Sequence, residues 1–335
     1  MIVRDGPKRP RYPLALIHPL GPLFRHLPLS LRRHLLYLRT YGPGGNFRAP
    51  RLITEKTQWR IINDKRPLLA FVEDKLASTE YVRNALTTAG ISEEIQFPET
   101  YWVGSDVREL QTIAHKLPAR WVLKPNHSCG RVILIDSSAE PVNWEVLAAI
   151  SGRWLERDEE EVVMGHWAYS QARHLLIAEE RVGNSAHAPD DFKIVCFDGT
   201  PGYDLWVNRE AAPTRFAFFR PDGTRIPWGA PTDVSYNDHA DETIFPVQLR
   251  ERMLRSASVI AAPFDWIRVD FYVDGETLWF GELTAYAGGG MYVIDQVNNE
   301  HFGALWQLPD LTAQDPREAE WRALLEGVPK GTLQR

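Results

Sequence analysis

Two apolar runs, residues 266–273 and 277–283, flank Asp274-Gly275, and this arrangement constrains the chain more than any other segment. Asp-Gly suits the positive φ angles of a tight turn, so the runs are expected to pair as an antiparallel hairpin. Alternate strand residues share a face, so Ile267, Val269 and Phe271 look one way and Arg268 and Asp270 the other. The turn brings Glu282 and Thr284 back beside that polar pair. Two carboxylates about 4 Å apart repel by on the order of 4 kcal/mol at an effective dielectric of 20. Burying Asp270 with Glu282 therefore calls for a counter-charge, and Mg²⁺, which joins carboxylates to phosphate oxygens, is the natural one. The competing reading is a solvent-facing strand with an ordinary Arg-Asp or Arg-Glu ion pair.

The run Ala285-Tyr286-Ala287-Gly288-Gly289-Gly290-Met291 follows directly. Consecutive glycines let backbone N–H groups approach a ligand, which beside two carboxylates suggests a phosphate and metal site. Upstream, residues 121–124 and 132–135 read as strands joined by a polar loop containing Asn126, His127, Ser128 and Gly130. With Lys124 ending the first strand, that loop could surround phosphate oxygens; it lacks the glycines and the Gly-Lys-Ser/Thr ending of a P-loop. Ile177-Ala178-Glu179-Glu180-Arg181-Val182 reads as a strand running into an acidic edge that could serve an adenine ring. Lys193 and Arg209 sit on or just past further strands, within reach of a polyphosphate or as plain surface charge. His127 and Cys129 lack a third orienting group, so covalent cysteine catalysis is not expected.

Along the chain, residues 1–50 form a Pro- and Arg-rich extension with a short helix at 30–39, Ser30 as its N-cap and Leu31, Leu35 and Leu38 at helical spacing. The expectation is that this helix packs on its own domain rather than on anionic lipid. A helical entry follows at 51–118, then an α+β subdomain at 119–185, a second at 186–310 carrying the metal site, and a C-terminal helix or tail at 311–335. A hydrophobic fraction of 44% with 12 Trp and 14 Phe indicates a chain that buries a core. The net charge of −6 argues against nucleic acid as a partner. Two cysteines are too few for a disulfide framework, and no run is long and apolar enough to span a membrane, so the expected location is cytoplasmic.

Taken in order, several blocks resemble the ATP-grasp superfamily, and within it the TupA-like family named for teichuronopeptide biosynthesis. They are Leu52-Ile53-Thr54-Glu55-Lys56-Thr57-Gln58-Trp59, Asp74-Lys75-Leu76-Ala77, the stretch 117–127, Ala178-Glu179-Glu180, the stretch 191–199, and the two strands around Arg268-Val269-Asp270 and Glu282-Leu283-Thr284. The likeness runs from about residue 50 to 309. It implies an ATP-grasp fold, two α+β subdomains clasping a nucleotide, with ATP and Mg²⁺ as cofactors. Lys75, Lys124, His127, Ser128 and Gly130 would then serve the phosphates, and Glu179 the adenine. Glu180 and Val182 would lie nearby through their backbone, with Asp191 at the head of the strand of Lys193. Asp270, Glu282 and Thr284 match the metal ligands, the last standing where the wider superfamily usually has asparagine. Arg268 matches an arginine that steadies the transferred phosphoryl group, with Lys193 and Arg209 as further contacts. The implied activity is amide formation between a small-molecule carboxylate and an amine through an acyl phosphate, on an amino acid or a cell-surface polymer precursor. A phosphotransferase and a non-catalytic nucleotide-binding protein of a surface-polymer pathway are the alternatives.

Overall fold

The computed structural model describes residues 1–5, 24–156, 163–183, 189–208, 215–228, 247–292 and 294–327. Two five-stranded antiparallel sheets organise them, and the fold is α+β. The first has the order β1-β4-β3-β5-β2, from strands β1 (Ile2–Asp5), β2 (Thr100–Gly104), β3 (Arg120–Pro125), β4 (Arg131–Asp136) and β5 (Leu176–Glu180). The second has the order β10-β9-β6-β7-β8, from β6 (Asp190–Phe197), β7 (Thr200–Asn208), β8 (Arg215–Phe219), β9 (Trp266–Asp274) and β10 (Thr277–Thr284). Helices α1 (Leu29–Tyr41), α2 (Ile53–Asn63), α3 (Pro67–Val72) and α4 (Lys75–Thr88) precede both sheets apart from β1. Helices α5 (Val107–Thr112) and α6 (Trp144–Trp154) belong to the first half, and α7 (Val247–Ala261), α8 (Gln296–Leu305) and α9 (Glu318–Glu326) to the second.

Each sheet puts its alternating apolar residues to work. In the first, Trp121, Leu123, Ile133, Ile135, Leu176 and Ala178 pack with α5 and α6 through Leu110, Leu147 and Trp154. In the second, one face (Phe192, Ile194, Ile267, Val269, Phe271) packs on α7 and α4. The other face is divided along its length. Its lower part, Val195, Phe197 and Trp266, lies in a core with Ile53 of α2 and Phe302 of α8. Its upper part carries Asp191, Lys193, Arg268 and Asp270, all with little solvent exposure.

The hairpin forms as its sequence requires: Gly275 adopts φ 62°, and Thr277 pairs with Asp274. A register shift between Phe280 and Glu282 sets Glu282 directly opposite Asp270. The intervening Gly281 permits this, because a Cβ there would meet the Asp270 carbonyl oxygen at 3.0 Å.

The N-terminal region departs from expectation. Residues 2–5 add β1 to the edge of the first sheet, and Thr100–Gly104, from the stretch read as helical entry, forms β2 of that sheet. Pro28, not Ser30, occupies the cap position of α1, with no side-chain cap. The helix is also turned about its axis relative to the expected packing. Leu31, Leu35 and Leu38 face solvent while Arg33 and Tyr37 are buried, because the neighbours on the inner side are polar acceptors.

Candidate functional site

The charged part of the second sheet is a connected cluster. Arg268 grips Asp270 with both arms, Nε to Oδ1 at 2.7 Å and Nη2 to Oδ2 at 2.7 Å. Lys193, directly across from Asp270 on β6, donates to Asp270 Oδ2 at 2.5 Å and to Asp191 Oδ1 at 2.8 Å. Arg268 Nη2 also donates to the Thr284 hydroxyl at 2.9 Å and lies 3.6 Å from Glu282. Burial alone would raise the pKa of Asp270, but Arg268 and Lys193 outweigh it and hold the carboxyl below the ordinary range. Burial likewise disfavours the charge on Arg268, and the adjoining Asp270 overrides that and raises its pKa. Asp270 is thus a fixed anion clamped by two cations. Glu282, whose side chain is 30% exposed, is the more open carboxylate beside it.

A second group forms where the β3–β4 loop meets the start of α4. Lys75 Nζ donates to the Ser128 carbonyl at 2.6 Å, and its backbone N–H donates to the Asn126 carbonyl at 3.2 Å. Asp74, fully buried, accepts from Asn126 Nδ2 at 2.7 Å, from Arg173 Nε at 2.8 Å and Nη2 at 2.6 Å, and from the Ala77 N–H. That carboxylate fixes both the loop and the N-terminus of α4. His127 is buried, stacked on His174 with centroids 4.0 Å apart, its Nε2 bonded to the Trp154 carbonyl at 2.8 Å. Burial, then His174, push its pKa down to about 4, so the ring is neutral. Its Nδ1 and the Ser128 hydroxyl are buried without a partner. Gly130, at the exposed end of the loop, has φ 70°.

Between the two groups stands Glu73, which sequence reasoning missed. It accepts the Ala285 N–H at 3.0 Å. Burial raises its pKa to about 7, opposed by hydrogen bonds from Ala285 and Tyr169, with Glu282 adding to the rise and Lys75 opposing it. Residues 73–75 therefore touch both halves of the molecule. Cys129 lies in the same neighbourhood, its thiol pushed up to about 11 by desolvation and by Glu282 and held from nucleophilic use. No sequence pattern announces Glu73, because its partners lie more than 90 residues away.

The remaining expected residues are placed differently. Lys124 and Glu179 form an ion pair on the face of the first sheet away from α5 and α6. No hydrogen bond or ion pair joins them to the Asp270 cluster among the described residues. Glu180 gives its N–H to the Glu99 carbonyl at 2.8 Å and accepts the Glu99 N–H on its carboxylate, so its backbone donor is already engaged. Val182 is half-buried just past the end of β5. Arg209 lies outside the described residues. The glycine run is a packing junction and not an anion cradle. Gly289 O accepts from Arg33 Nη2 and Gly290 O from Gln58 Nε2, and a Cβ on Gly290 would come within 2.7 Å of Arg33.

Two antiparallel sheets are thus bridged by residues 73–75, with charged residues on one and a polar loop from the other. The chain belongs to the TupA-like ATP-grasp family, whose model matches residues 55–307. No curated protein matches it in sequence. Among solved structures it is similar to the D-alanine–D-alanine ligase from Bacillus anthracis complexed with ATP, at 15% identity over 64% of this chain and 54% of that one, with a TM-score of 0.33. An L-amino acid ligase from Bacillus licheniformis is 13% identical over 87% of this chain and 58% of its own, with a TM-score of 0.39. The ATP-grasp ligase PsnB complexed with minimal precursor is 11% identical over 69% and 59%, with a TM-score of 0.35. The chain spans between 54% and 59% of the lengths of these three proteins. Likenesses this distant say nothing about substrate.

Proposed function

We propose that this chain is an ATP- and Mg²⁺-dependent carboxylate–amine ligase, forming an amide, ADP and phosphate through an acyl phosphate on an amino acid or a cell-surface polymer precursor. The observation that carries the reading is the Asp270 carboxylate, clamped by Arg268 and Lys193 and set directly opposite Glu282. The donors left for a hard divalent cation are Glu282, 30% exposed, and Asp270 Oδ1, which accepts a single hydrogen bond; among the described residues no third His, Cys, Asp or Glu joins them, so substrate phosphates and water would complete the shell. When bound, Mg²⁺ supplies positive charge against the phosphate oxygens, with Asp270 and Glu282 as its holders and the Thr284 hydroxyl beside them. Arg268 would steady charge that develops on the transferred phosphoryl group and on the oxyanion of the tetrahedral intermediate, and Lys193 supports it.

The loop side supplies binding. Lys75, the Ser128 hydroxyl and the exposed turn at Gly130 meet the phosphates, and the partnerless buried Ser128 hydroxyl supports a ligand there. The Lys124–Glu179 pair and the backbone around Val182 hold the nucleoside end, while Asp191 keeps Lys193 in place. Catalysis on this reading is positioning and electrostatics. An ADP-release screen crossing amino acids with amines, with mass spectrometry of every hit, tests it. A new amide with inorganic phosphate is expected; a stable phosphorylated product in its place would make the protein a phosphotransferase.

A further inference from the structure

Strand β1 lies outside residues 55–307, the stretch that the family model matches, and it adds to the first sheet beside β4. Residues directly opposite one another in an antiparallel pair share a face, so the register carries one face across the sheet. Ile2 pairs with Leu134, Leu134 with Val122, and Val122 with Glu179. In the next row, Arg4 pairs with Val132 and Lys124 with Ile177. Leu123 pairs with Ile133, so Lys124 falls level with Val132 and with Arg4 beyond it. Arg4 therefore stands on the same face as Lys124 and Glu179, two strands from Lys124, or about 10 Å at the usual strand spacing. Helices α5 and α6 cover the opposite face through Trp121, Leu123 and Ile133. The face of Arg4 is closed near β5 and open at β1: Ile177 is 1% exposed and Val122 7%, against 57% for Ile2.

The open end is also where the polar loop returns to the sheet. β4 begins at Arg131, directly after Gly130, and Asp5 pairs with Arg131. Arg4, opposite Val132, thus lies within two residues of the end of the loop whose Ser128 carbonyl accepts from Lys75. Its charge is uncompensated, unlike those of its neighbours in the proposed site. Lys124 is paired with Glu179, and Lys193 and Arg268 are held by Asp270. Arg4 is exposed, and among the described residues no hydrogen bond or ion pair engages its side chain. A polyphosphate brings several negative charges, and a guanidinium offers it planar donors that stay charged at any working pH.

We infer that Arg4 is a further phosphate-binding residue: β1 brings its guanidinium to the open end of the nucleotide face, beside the polyphosphate that Lys75 and the Ser128 loop hold. This role rests on the nucleotide reading proposed above, and brings to it a cation from outside the family segment.

Binding of ADP with Mg²⁺ to the full chain, followed by calorimetry in about 0.1 M salt, tests it. Arg4→Gln is expected to weaken binding about fivefold to tenfold, and Arg4→Lys about twofold. Adenosine, which carries no phosphate, should bind wild type and both variants alike. In about 0.5 M salt the Arg4→Gln difference should shrink to under about twofold, because an exposed charge contact is screened. Arg108→Gln removes an equally exposed cation from α5, behind the sheet, and should leave ADP affinity unchanged. Equal ADP affinity for wild type and Arg4→Gln overturns the inference, as does an equal loss for adenosine. So does an Arg4→Gln variant that self-associates at unchanged ADP affinity, which would make Arg4 a charge that guards an exposed sheet edge. A wild type that binds no ADP at all is the distinct outcome in which the nucleotide reading itself fails and takes this role with it.

Discussion

The first sheet carries one ion pair on its inner strands, Lys124 of β3 with Glu179 of β5, at 19% and 14% exposure, and its polar loop is anchored through neutral groups such as Asn126 and His127. The second sheet gathers more charge and buries part of it more deeply, with Lys193 at 9%, Asp270 at 2% and Arg268 at 16% exposure on the inner strands β6 and β9. Both are antiparallel and five-stranded, so backbone architecture does not explain the difference. Buried charge costs free energy unless it is closely paired. A sheet that carries it at its centre holds fixed electrostatics in place, and a sheet with a tethered loop holds a binding surface. On the reading proposed here, the second sheet is the chemical half and the first the nucleotide-holding half.

The largest effect should follow from breaking the buried clamp. Asp270→Asn leaves Arg268 and Lys193 facing a neutral amide, which is expected to cost about 3–5 kcal/mol of stability and to abolish ADP release. Glu282→Gln, at a half-open position, should lower ADP release about a hundredfold with stability changed by less than about 0.5 kcal/mol. Denaturant melts beside initial rates separate the two. ADP release that survives both substitutions would remove the metal site from this sheet.

Glu73 lies on the seam between the halves, and its contribution runs with pH. Its folded pKa of about 7 stands above the ordinary carboxyl value, so between about 4.5 and 7 the folded state keeps a proton that the unfolded chain has released. The stability it contributes is full below pH 4.5 and is lost as pH rises through 7, a change of about 3 kcal/mol. Glu73→Gln keeps an acceptor for the Ala285 N–H and removes the ionisation. In metal-free buffer with a chelator, the variant should therefore be more stable than wild type at pH 8, and the difference should shrink toward pH 5. Parallel stability curves for the two proteins would show that Glu73 is not buried as described.

Much of this contrast was visible in the chain, and what was hidden follows from contact distance. Apolar runs marked β3, β4, β5, β6, β7, β9 and β10, and Asp274-Gly275 marked the hairpin, because these signals are local. The alternation of Arg268 and Asp270 with Val269 brought the charged face into view before any contact was known. The short strands β1 and β2 carry too few residues to show a period, and each is defined by its partner, Ile2 by Leu134 and Val103 by Ile177. The inverted rotation of α1 was hidden because Leu spacing locates a stripe without saying which side is inward. Asp74 and Glu73 were unreadable as organisers, since Arg173 and Ala285 reach them only in the folded chain.

The smallest effect belongs to the first sheet. Lys124 and Glu179 bond across β3 and β5 but retain solvent contact, so Lys124→Ala should cost no more than about 1 kcal/mol of stability. If the pair holds the nucleotide alike in ground and transition states, its loss raises KM and spares kcat. Glu179→Gln should then raise the KM for ATP about tenfold and leave kcat within about twofold. A fall in kcat without a change in KM would move Glu179 from binding to chemistry. A stability loss for Lys124→Ala as large as that of Asp270→Asn would mean that both sheets depend on buried charge, and the division of labour between them would have to be abandoned.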